Sequence, residues 1–175
     1  MKYGTIVADP PWGYEGYAPP WRSSVDPHYP LMTLEEIKAL PVRDLAERNS
    51  HLYLWATLPL MEEAYEVVRE WGFKPSTVLT WCKAGPGLGG GWRGNTEHVI
   101  VARRGSASFL PTFDGKGTWY AASRNGIHSK KPELFMDLIE QASPAPRLEM
   151  FARRQRIGWD TWGNEALEHV DLVAS

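Results

Sequence analysis

Short apolar runs alternate along this chain with segments in which apolar residues recur at helical spacing. Residues 5–8 and 50–56 are almost continuously apolar, which is typical of strands that a sheet buries on both faces. Residues 60–71 and 133–142 carry apolar side chains three and four positions apart, which predicts amphipathic helices. This alternation predicts an α/β fold with a mostly parallel sheet and helices on both of its faces.

Capping and turn residues set the bounds of several other predicted elements. Thr33 and Glu36 have the spacing of a capping box, so they predict a short helix, which Pro41 ends. Residues 42–48 are expected to add another helical turn. The remaining strands are predicted over residues 76–83, 97–102, 147–151 and 159–162.

Two long loops separate these elements. Residues 13–30 have no hydrophobic period, and long ordered loops in compact domains are often lids or binding loops; the alternative is an irregular surface connection. Residues 84–95 contain six glycines, three of which match the spacing of a dinucleotide-binding fingerprint. No helical pattern follows them, so no helix N-terminus would meet a pyrophosphate. We therefore interpret the second segment as a flexible loop.

Length and composition narrow the class of protein. The 175 residues suit one domain, taken as residues 1–175, and no apolar run has the length of a membrane span or a signal peptide. Cys82 is the only cysteine, which excludes an intramolecular disulfide and favours a cytoplasmic protein. The five histidines are scattered without ligand spacing, so no metal site is predicted.

The distribution of charge is more informative than its sum. A net charge of −2 does not by itself indicate a nucleic-acid-binding protein. Basic residues are grouped at 103–104, 130–131 and 153–156. The sequence therefore leaves open both a basic binding face and an ordinary solvated surface.

Nine tryptophans are many for a domain of this size. A tryptophan in a loop can stack on a nucleic-acid base, whereas a tryptophan between helices and sheet simply packs. We expect Trp55, Trp71 and Trp81 to lie in the core, and Trp12 to be functional.

The most distinctive segment is Asp9-Pro10-Pro11-Trp12, which directly follows the first strand. Each proline lacks an N–H donor and has a fixed φ, so the strand ends there on a stiff turn. Asp9 and the Pro10 carbonyl could accept the two N–H bonds of an exocyclic amine, which favours a pyramidal, nucleophilic nitrogen, and Trp12 could stack on the base. The alternative is a strand-ending turn with a capping aspartate.

The same tetrapeptide matches the catalytic motif of the N6-adenine methyltransferases. Residues 128–133 resemble that family's cofactor-side segment, residues 147–153 resemble its S-adenosylmethionine strand and loop, and residues 163–165 are similar to its closing motif. The catalytic motif comes first and the cofactor strand last. This is the permuted order of the family that includes the mRNA N6-adenosine methyltransferase catalytic subunit and related DNA adenine methyltransferases. The resemblance covers nearly the whole chain.

The resemblance implies a fold and an activity. The fold would be a single Rossmann-like methyltransferase domain with permuted motif order. The activity would be methyl transfer from S-adenosylmethionine to the N6 amine of adenine in nucleic acid, with DNA favoured as the polymer. The alternatives are N6-adenosine methylation of RNA and a catalytically weak, nucleic-acid-binding scaffold subunit of the same fold. No separate target-recognition domain is evident, which favours either a short or relaxed sequence specificity or a partner that supplies it. A homodimer or a complex with a partner subunit is possible.

The resemblance also implies roles for single residues. Asp9 would hold the substrate amine near the amino group of the donor, and Lys131 would pair with the donor's carboxylate. Arg153 and Asn164 would hold the ribose, and Glu149 would orient the pocket, the alternative for Glu149 being a structural salt bridge. The implied catalytic residues are Asp9, Pro10, Pro11 and Trp12, and the implied cofactor-binding residues are Asp9, Lys131, Glu149, Phe151, Arg153, Asn164 and Glu165.

Three features depart from the family pattern. Arg156 stands where a small polar amide is expected, which puts its contacts with the donor in doubt. Glu165 stands where a glutamine is common, although a carboxylate still binds ribose hydroxyls. The sequence begins at the catalytic strand, so we expect the wall around the donor's adenine to come from elsewhere or to be open.

A base inside a duplex could not reach Asp9, so a DNA substrate would have to be flipped out or single-stranded. The loops 13–30 and 84–95 are the predicted walls of the base pocket. The three arginines among the predicted contacts would bind phosphate. The predicted substrate-binding residues are Trp12, Tyr14, Tyr29, Arg93, Arg103, Arg104 and Lys130.

Overall fold

Seven strands and four helices are present in the computed structural model, which describes residues 1–13, 31–87, 91–122 and 131–163. A short 3₁₀ turn, Leu58–Leu60, precedes the third helix. The elements are β1 (Tyr3–Ala8), α1 (Leu34–Lys38), α2 (Val42–Leu45), β2 (Ala46–Ala56), α3 (Met61–Glu70), β3 (Lys74–Cys82), β4 (Thr96–Arg104), β5 (Trp119–Ala121), α4 (Glu133–Ala142), β6 (Arg147–Met150) and β7 (Asp160–Trp162).

The strands form one sheet in the order β5-β3-β4-β2-β1-β6-β7. Strand β1 lies between β2 and β6 and is parallel to both, and the pairs β3–β5 and β6–β7 are also parallel. Strand β4 is antiparallel to both of its neighbours. The predicted α/β class with a mostly parallel sheet is confirmed. The antiparallel strand follows from the helix-free connection between β3 and β4, because a parallel return would need a longer crossover.

Side chains alternate between the two faces of the sheet and build two cores. Ile6 and Ala8 of β1 face the core that includes Ile37 of α1 and Val67 of α3. Val7, between them, faces the other core, which α4 covers with residues such as Phe135. Helices therefore cover both faces, as predicted, and the alternation follows from the two-residue period of a strand.

Local signals in the sequence account for most element bounds. Thr33 caps α1 and Glu36 completes the capping box, as predicted. Helix α4 has the predicted bounds. The helical turn predicted over residues 42–48 ends at Leu45, because the chain from Ala46 onward already pairs with β1. Strand β5 was not predicted, since its three residues are too few and too exposed to give a pattern.

The sheet has two ends, at which different strand termini meet. The carboxyl ends of β1, β2, β3, β6 and β7 and the amino end of β4 lie together, and we call this the Asp9 end. The opposite end carries the start of β1 and the carboxyl end of β4. Ligands of parallel α/β sheets bind at the carboxyl ends of the strands. Among the described residues, the helices are too short and too polar to cross a membrane.

Candidate active site

The segment Asp9-Pro10-Pro11-Trp12 forms a tight turn after β1. The Trp12 N–H donates to the Pro10 carbonyl at 2.9 Å, which closes a three-residue turn. Met32 pins the turn from outside: its N–H donates to the Pro11 carbonyl at 2.9 Å, and its carbonyl accepts from the Gly13 N–H at 2.8 Å. The Pro10 carbonyl has a second lone pair and can still accept one further hydrogen bond.

Trp12 lies in the core rather than on the surface. The residue is only 9% exposed, and its indole Nε1 donates a hydrogen bond to the Trp55 carbonyl at 3.0 Å. The ring thereby fixes the turn to β2. Base stacking by Trp12 stays a prediction, and the described structure offers a base little of the ring. The predicted core positions of Trp55, Trp71 and Trp81 are confirmed, since each is at most 3% exposed.

Four charged side chains meet at the Asp9 end, and we call them the charge cluster: Asp9, Lys83, Glu97 and Lys131. Lys131 Nζ lies 3.0 Å from Asp9 Oδ2 and 3.1 Å from Glu97 Oε2. Lys83 forms an ion pair with the other oxygen of Glu97. Asp9 follows β1, Lys83 follows β3, Glu97 lies in β4 and Lys131 precedes α4. Only the fold brings these four side chains together.

Two members of the cluster, Lys131 and Glu97, are held in their charged forms by their neighbours. Burial by itself would lower the pKa of the Lys131 ammonium, but the carboxylates of Asp9 and Glu97 outweigh it and raise that pKa. Burial would likewise raise the pKa of Glu97, whereas Lys131 and Lys83 hold it below its ordinary value. Lys131 is therefore protonated and Glu97 ionised at neutral pH. The Asp9 side chain is 30% exposed, so a ligand can reach its carboxylate.

Two tryptophans form the floor under the lysines. The Lys131 ammonium lies 5.0 Å from the centre of the Trp55 ring, and the Lys83 ammonium lies 4.6 Å from that of Trp81. A cation over an indole face is stabilised by the ring quadrupole. Neither Lys83 nor Glu97 was predicted as a site residue. Only the antiparallel return of β4 brings Glu97 to this end, and nothing in its local sequence signals that.

Glu149 adds a buried carboxylate beside the cluster. It lies in β6 opposite Val7, and its Oε2 is buried without a hydrogen-bond partner among the described residues. Burial raises the pKa of Glu149 to about 7, the charge of Asp9 adds to the effect, and Arg156 opposes it. The alternative of a structural salt bridge is not what the structure has, since no ion pair of Glu149 occurs among the described residues. An unpartnered buried acceptor suits a ligand that brings its own donor.

The chain after β6 bends sharply next to the end of β7. Phe151 has φ of 64°, in the left-handed region, and its ring packs at 5.1 Å against Trp162. The Ala152 N–H donates to the Trp162 carbonyl at 3.0 Å. Gly163 is pressed so closely against Ala152 that a Cβ atom would lie 2.5 Å from its carbonyl oxygen. Arg153 lies on this bend and is partly exposed.

Arg156 has a partner set of its own. Its guanidinium binds three acids on one face of α4: Glu133 at 2.9 Å, Asp137 at 2.5 Å and Glu140 at 2.6 Å. Charge-assisted bonds of this kind are the strong class of hydrogen bond. Where the family pattern has a small amide, this chain has an arginine that ties the loop after β6 to α4.

The other predicted substrate contacts lie in three places. Arg93 is exposed on the connection between β3 and β4, at the Asp9 end. Arg103 and Arg104 pair with His51 and Ser50, which places them at the opposite end of the sheet. The structure therefore does not bring these two arginines to Asp9, because β4 runs away from it. Outside the described residues lie Tyr14, Tyr29, Lys130, Asn164 and Glu165.

The donor atoms at the Asp9 end belong to carboxylates and an ammonium. Among the described residues, no three His, Cys, Asp or Glu side chains are grouped to hold a metal ion. The residues at the Asp9 end instead fit a zwitterionic organic ligand. They offer the ammonium of Lys131, the exposed carboxylate of Asp9 and the unpartnered oxygen of Glu149.

Comparison with known proteins gives one family and several relatives. The family model MT-A70 matches residues 3–165. The chain is 31% identical over 184 residues to the type II methyltransferase M.MunI of a Mycoplasma species. It is 27% identical over 183 residues to METTL3, the N(6)-adenosine-methyltransferase catalytic subunit of Homo sapiens. It is 26% identical over 180 residues to the N6-methyladenosine RNA methyltransferase MTA1 of Cryphonectria parasitica.

These relatives differ in how much of their length the chain spans. The match to M.MunI covers 94% of this chain and 78% of M.MunI. The match to METTL3 covers 98% of this chain but 29% of METTL3, and the match to MTA1 covers 95% and 52%. The chain thus spans about half or less of the two relatives whose names state N6-adenosine methylation.

Proposed function

Because the chain belongs to the MT-A70 family, we propose that it transfers the methyl group of S-adenosylmethionine to the N6 amine of adenine in nucleic acid. DNA is the first polymer to test. RNA is the second, because the names of two relatives state N6-adenosine methylation. The observation that carries the proposal is the meeting of Asp9 and Lys131 at 3.0 Å, from positions more than a hundred residues apart in the chain.

The substrate amine has two acceptors at the turn after β1. One is the exposed carboxylate of Asp9, and the other is the remaining lone pair of the Pro10 carbonyl. Both atoms are held by a stiff turn that Met32 pins, so they need little reorganisation. Two acceptors aimed at the N–H bonds favour a pyramidal nitrogen and stabilise its developing positive charge.

The methyl donor fits the other half of the same end. Lys131 uses two of its three N–H donors on Asp9 and Glu97, which leaves one for the donor's carboxylate. Glu149 offers its unpartnered oxygen to a hydroxyl or ammonium of the donor, and Arg153 and Phe151 lie on the adjoining bend. When bound, S-adenosylmethionine supplies an electrophilic methyl group.

Glu97 and Lys83 position Lys131 in this proposal. Glu97 shares Lys131 with Asp9, and Lys83 neutralises the second oxygen of Glu97. The cluster has two positive and two negative groups, so Asp9 stays available without an uncompensated charge. A strong general base is not required, because the methylated amine loses its proton readily.

A scaffold subunit of the same fold is the second candidate function. The charge cluster speaks against it, because a subunit that binds no donor has no need for an accessible Asp9 beside Lys131. Titration calorimetry with S-adenosylmethionine separates the two functions. Binding below millimolar concentration is expected of the enzyme, and its absence contradicts the proposed activity.

The first experiment tests the reaction itself. The purified protein is incubated with mixed DNA and RNA and labelled S-adenosylmethionine, and the digested nucleosides are analysed by mass spectrometry. N6-methyladenine is expected, and Asp9→Ala should remove it because one of the two amine acceptors is lost. Asp44→Ala, an exposed acid of α2, is the matched control and should keep the activity. Methylation of cytosine, or unchanged activity in Asp9→Ala, would contradict the assignment.

A further inference from the structure

A shallow cleft of about 390 Å³ lies at the end of the sheet opposite Asp9. It is formed where β3 begins and where the chain leaves β4. Its lining is basic and hydroxylic, with Lys74, Ser76, Arg103, Gly105, Ser106 and Ser108 among its residues. No residue of the charge cluster contributes to it.

The two cations of this cleft stand directly opposite each other. Lys74 of β3 pairs in register with Arg103 of β4, and both side chains are exposed. Like charges at directly opposed positions of an antiparallel pair are destabilising. Neither cation forms an ion pair among the described residues, so no carboxylate in that part of the chain offsets this repulsion. An anion bound between them would remove it.

Serine hydroxyl groups line the cleft beside the two cations. Ser76 lies at the register irregularity between Pro75 and Thr77, and its side chain is exposed within the cleft lining. Gly105 turns the chain with φ of 60° and packs so closely on Arg48 and Asn49 that a Cβ atom would clash. The Asn49 Oδ1 accepts from the Ser106 N–H at 2.8 Å and holds that turn in place.

More positive charge lies beside the cleft. Arg104 donates to the Arg43 carbonyl, and the Arg43 guanidinium lies against Gly72, two residues before Lys74. The nearest acids along that segment, Asp44 and Glu47, form no ion pair with these arginines among the described residues. On a protein with a net charge of −2, this is a local concentration of cations that carboxylates do not neutralise.

Arginine, lysine and hydroxyl groups together are the donors that bind phosphate oxygens. We infer that this cleft binds a backbone phosphodiester of the nucleic-acid substrate, at a distance from the reacting adenine. The inference rests on the proposed function. Along β4, five residues separate His98 at the Asp9 end from Arg103, which is about 17 Å. In B-form DNA that distance corresponds to about five base-pair steps.

The assignment also gives Arg103 a role that fits its position. At the opposite end of the sheet it cannot touch the target base, but it can fix the flank of a long substrate. Contacts of this kind position the nucleic acid and raise affinity without reading sequence. The expected partner is therefore a polymer, and short substrates should not use the cleft.

The test compares the double variant Lys74→Gln/Arg103→Gln with Lys2→Gln/Lys116→Gln, which removes two exposed lysines that do not line the cleft. Binding of a labelled 20-base-pair duplex is measured by fluorescence anisotropy across a salt series. The cleft variant should bind about 10-fold more weakly at low salt. Its log–log salt slope should be smaller by about 2, because two phosphate contacts are lost. The control pair should keep the wild-type slope.

Two further arms separate this inference from the proposed function. A trinucleotide containing the target adenine is too short to cover 17 Å, so its methylation should be the same in the cleft variant and the wild type. Inorganic phosphate should displace the duplex only weakly, since a single anion occupies one contact. A duplex slope equal to that of the wild type overturns the inference. The inference is also overturned if the cleft variant loses phosphate binding but binds the duplex normally. Neither result bears on methyl transfer.

Discussion

Two polar clusters lie next to the same strand, β2, and they differ in charge and in exposure. At the Asp9 end, charged side chains meet over the ring of Trp55 and remain partly exposed. Four and two residues before Trp55, His51 and Tyr53 meet Ser143 in the interior. Tyr53 Oη lies 2.7 Å from Ser143 Oγ, which lies 2.9 Å from His51 Nδ1. We call these three residues the buried triad.

The buried triad is neutral where the charge cluster is ionised. Burial, with a contribution from the charge of Arg103, lowers the pKa of His51 to about 4, and burial raises the pKa of Tyr53 to about 12. Both groups are therefore uncharged at neutral pH. Burying neutral hydrogen-bonded groups costs little, whereas burying charges requires partners and leaves strong fields. Neutral hydrogen-bonded groups such as the buried triad stabilise the fold. The partnered charges of the charge cluster suit the binding site proposed above.

The triad shows why residue types alone do not define a site. A serine beside a histidine is the arrangement of a nucleophile and its base. Here Ser143 and His51 are both 0% exposed, so no substrate can reach them. Ser143 ends α4, and its carbonyl accepts a hydrogen bond from Arg147 of β6 at 3.0 Å. Accessibility, rather than the identity of the side chains, separates this cluster from the Asp9 end.

The largest effect is expected when the charge cluster loses its central cation. Lys131→Met keeps the side-chain length but leaves Asp9 facing Glu97 without the cation they share, and it removes the proposed partner of the donor's carboxylate. Because the donor's carboxylate loses its proposed charged partner, kcat/KM for methylation should fall about 100-fold or more, which corresponds to about 3 kcal/mol. Steady-state kinetics and donor calorimetry measure the change.

Lys83→Met is the matched control for that prediction. Lys83 contacts Glu97 but not Asp9, so its loss should reduce kcat/KM less than 10-fold, about 1.4 kcal/mol. Equal effects of the two substitutions would mean that the cluster acts only through its total charge. The special position given to Lys131 would then be wrong.

Several helix bounds and the position of Asp9 could be predicted from the sequence, because they depend on short-range signals. The capping pair Thr33 and Glu36, and the amphipathic period of α4, are short-range signals. Asp9 could be placed at a ligand-binding end because a buried strand followed by two prolines has few alternatives. The resemblance implied that Asp9 and Lys131 both lie beside the donor, and the structure brings their side chains within 3.0 Å of each other.

The rest depended on long-range register. Glu97 reaches Asp9 only because β4 runs antiparallel, and the same reversal carries Arg103 to the opposite end. Trp12 was expected to face a base, but its Nε1 bonds to the Trp55 carbonyl in the core. No periodicity encodes such choices, since they depend on which strand is the neighbour. A group of charges in the sequence therefore does not tell at which end of the sheet its side chains lie.

The charge state of Glu149 can be tested through the pH dependence of the free energy of unfolding. Its ordinary pKa of 4.5 rises to about 7 in the folded protein, with burial as the main cause. Between these two values the folded state retains a proton that the unfolded state releases, so the free energy of unfolding falls as pH rises. A shift of this size amounts to about 3 kcal/mol, lost between about pH 4.5 and pH 7. Glu149→Gln cannot titrate and should lack that loss.

Urea unfolding at pH 5 and pH 8 measures this effect. The free energy of unfolding of Glu149→Gln relative to that of the wild type should rise by about 2 to 3 kcal/mol between the two pH values. Glu62→Gln, an exposed acid of α3, is the control and should show no comparable change. A constant difference between Glu149→Gln and the wild type would mean that Glu149 is ionised in the folded protein throughout this range.

The smallest effect is expected in the buried triad, and it should change stability alone. Ser143→Ala leaves both Tyr53 Oη and His51 Nδ1 without their shared partner, which costs about 1 to 3 kcal/mol in the free energy of unfolding. Tyr53→Phe should cost less, because the pair of Ser143 and His51 survives. Urea unfolding and the methylation assay are run on both variants. Since the triad is closed to solvent and lies along β2 from Trp55, kcat/KM should stay within twofold of the wild type. A large loss of kcat with unchanged stability would show that the two ends of the sheet are coupled.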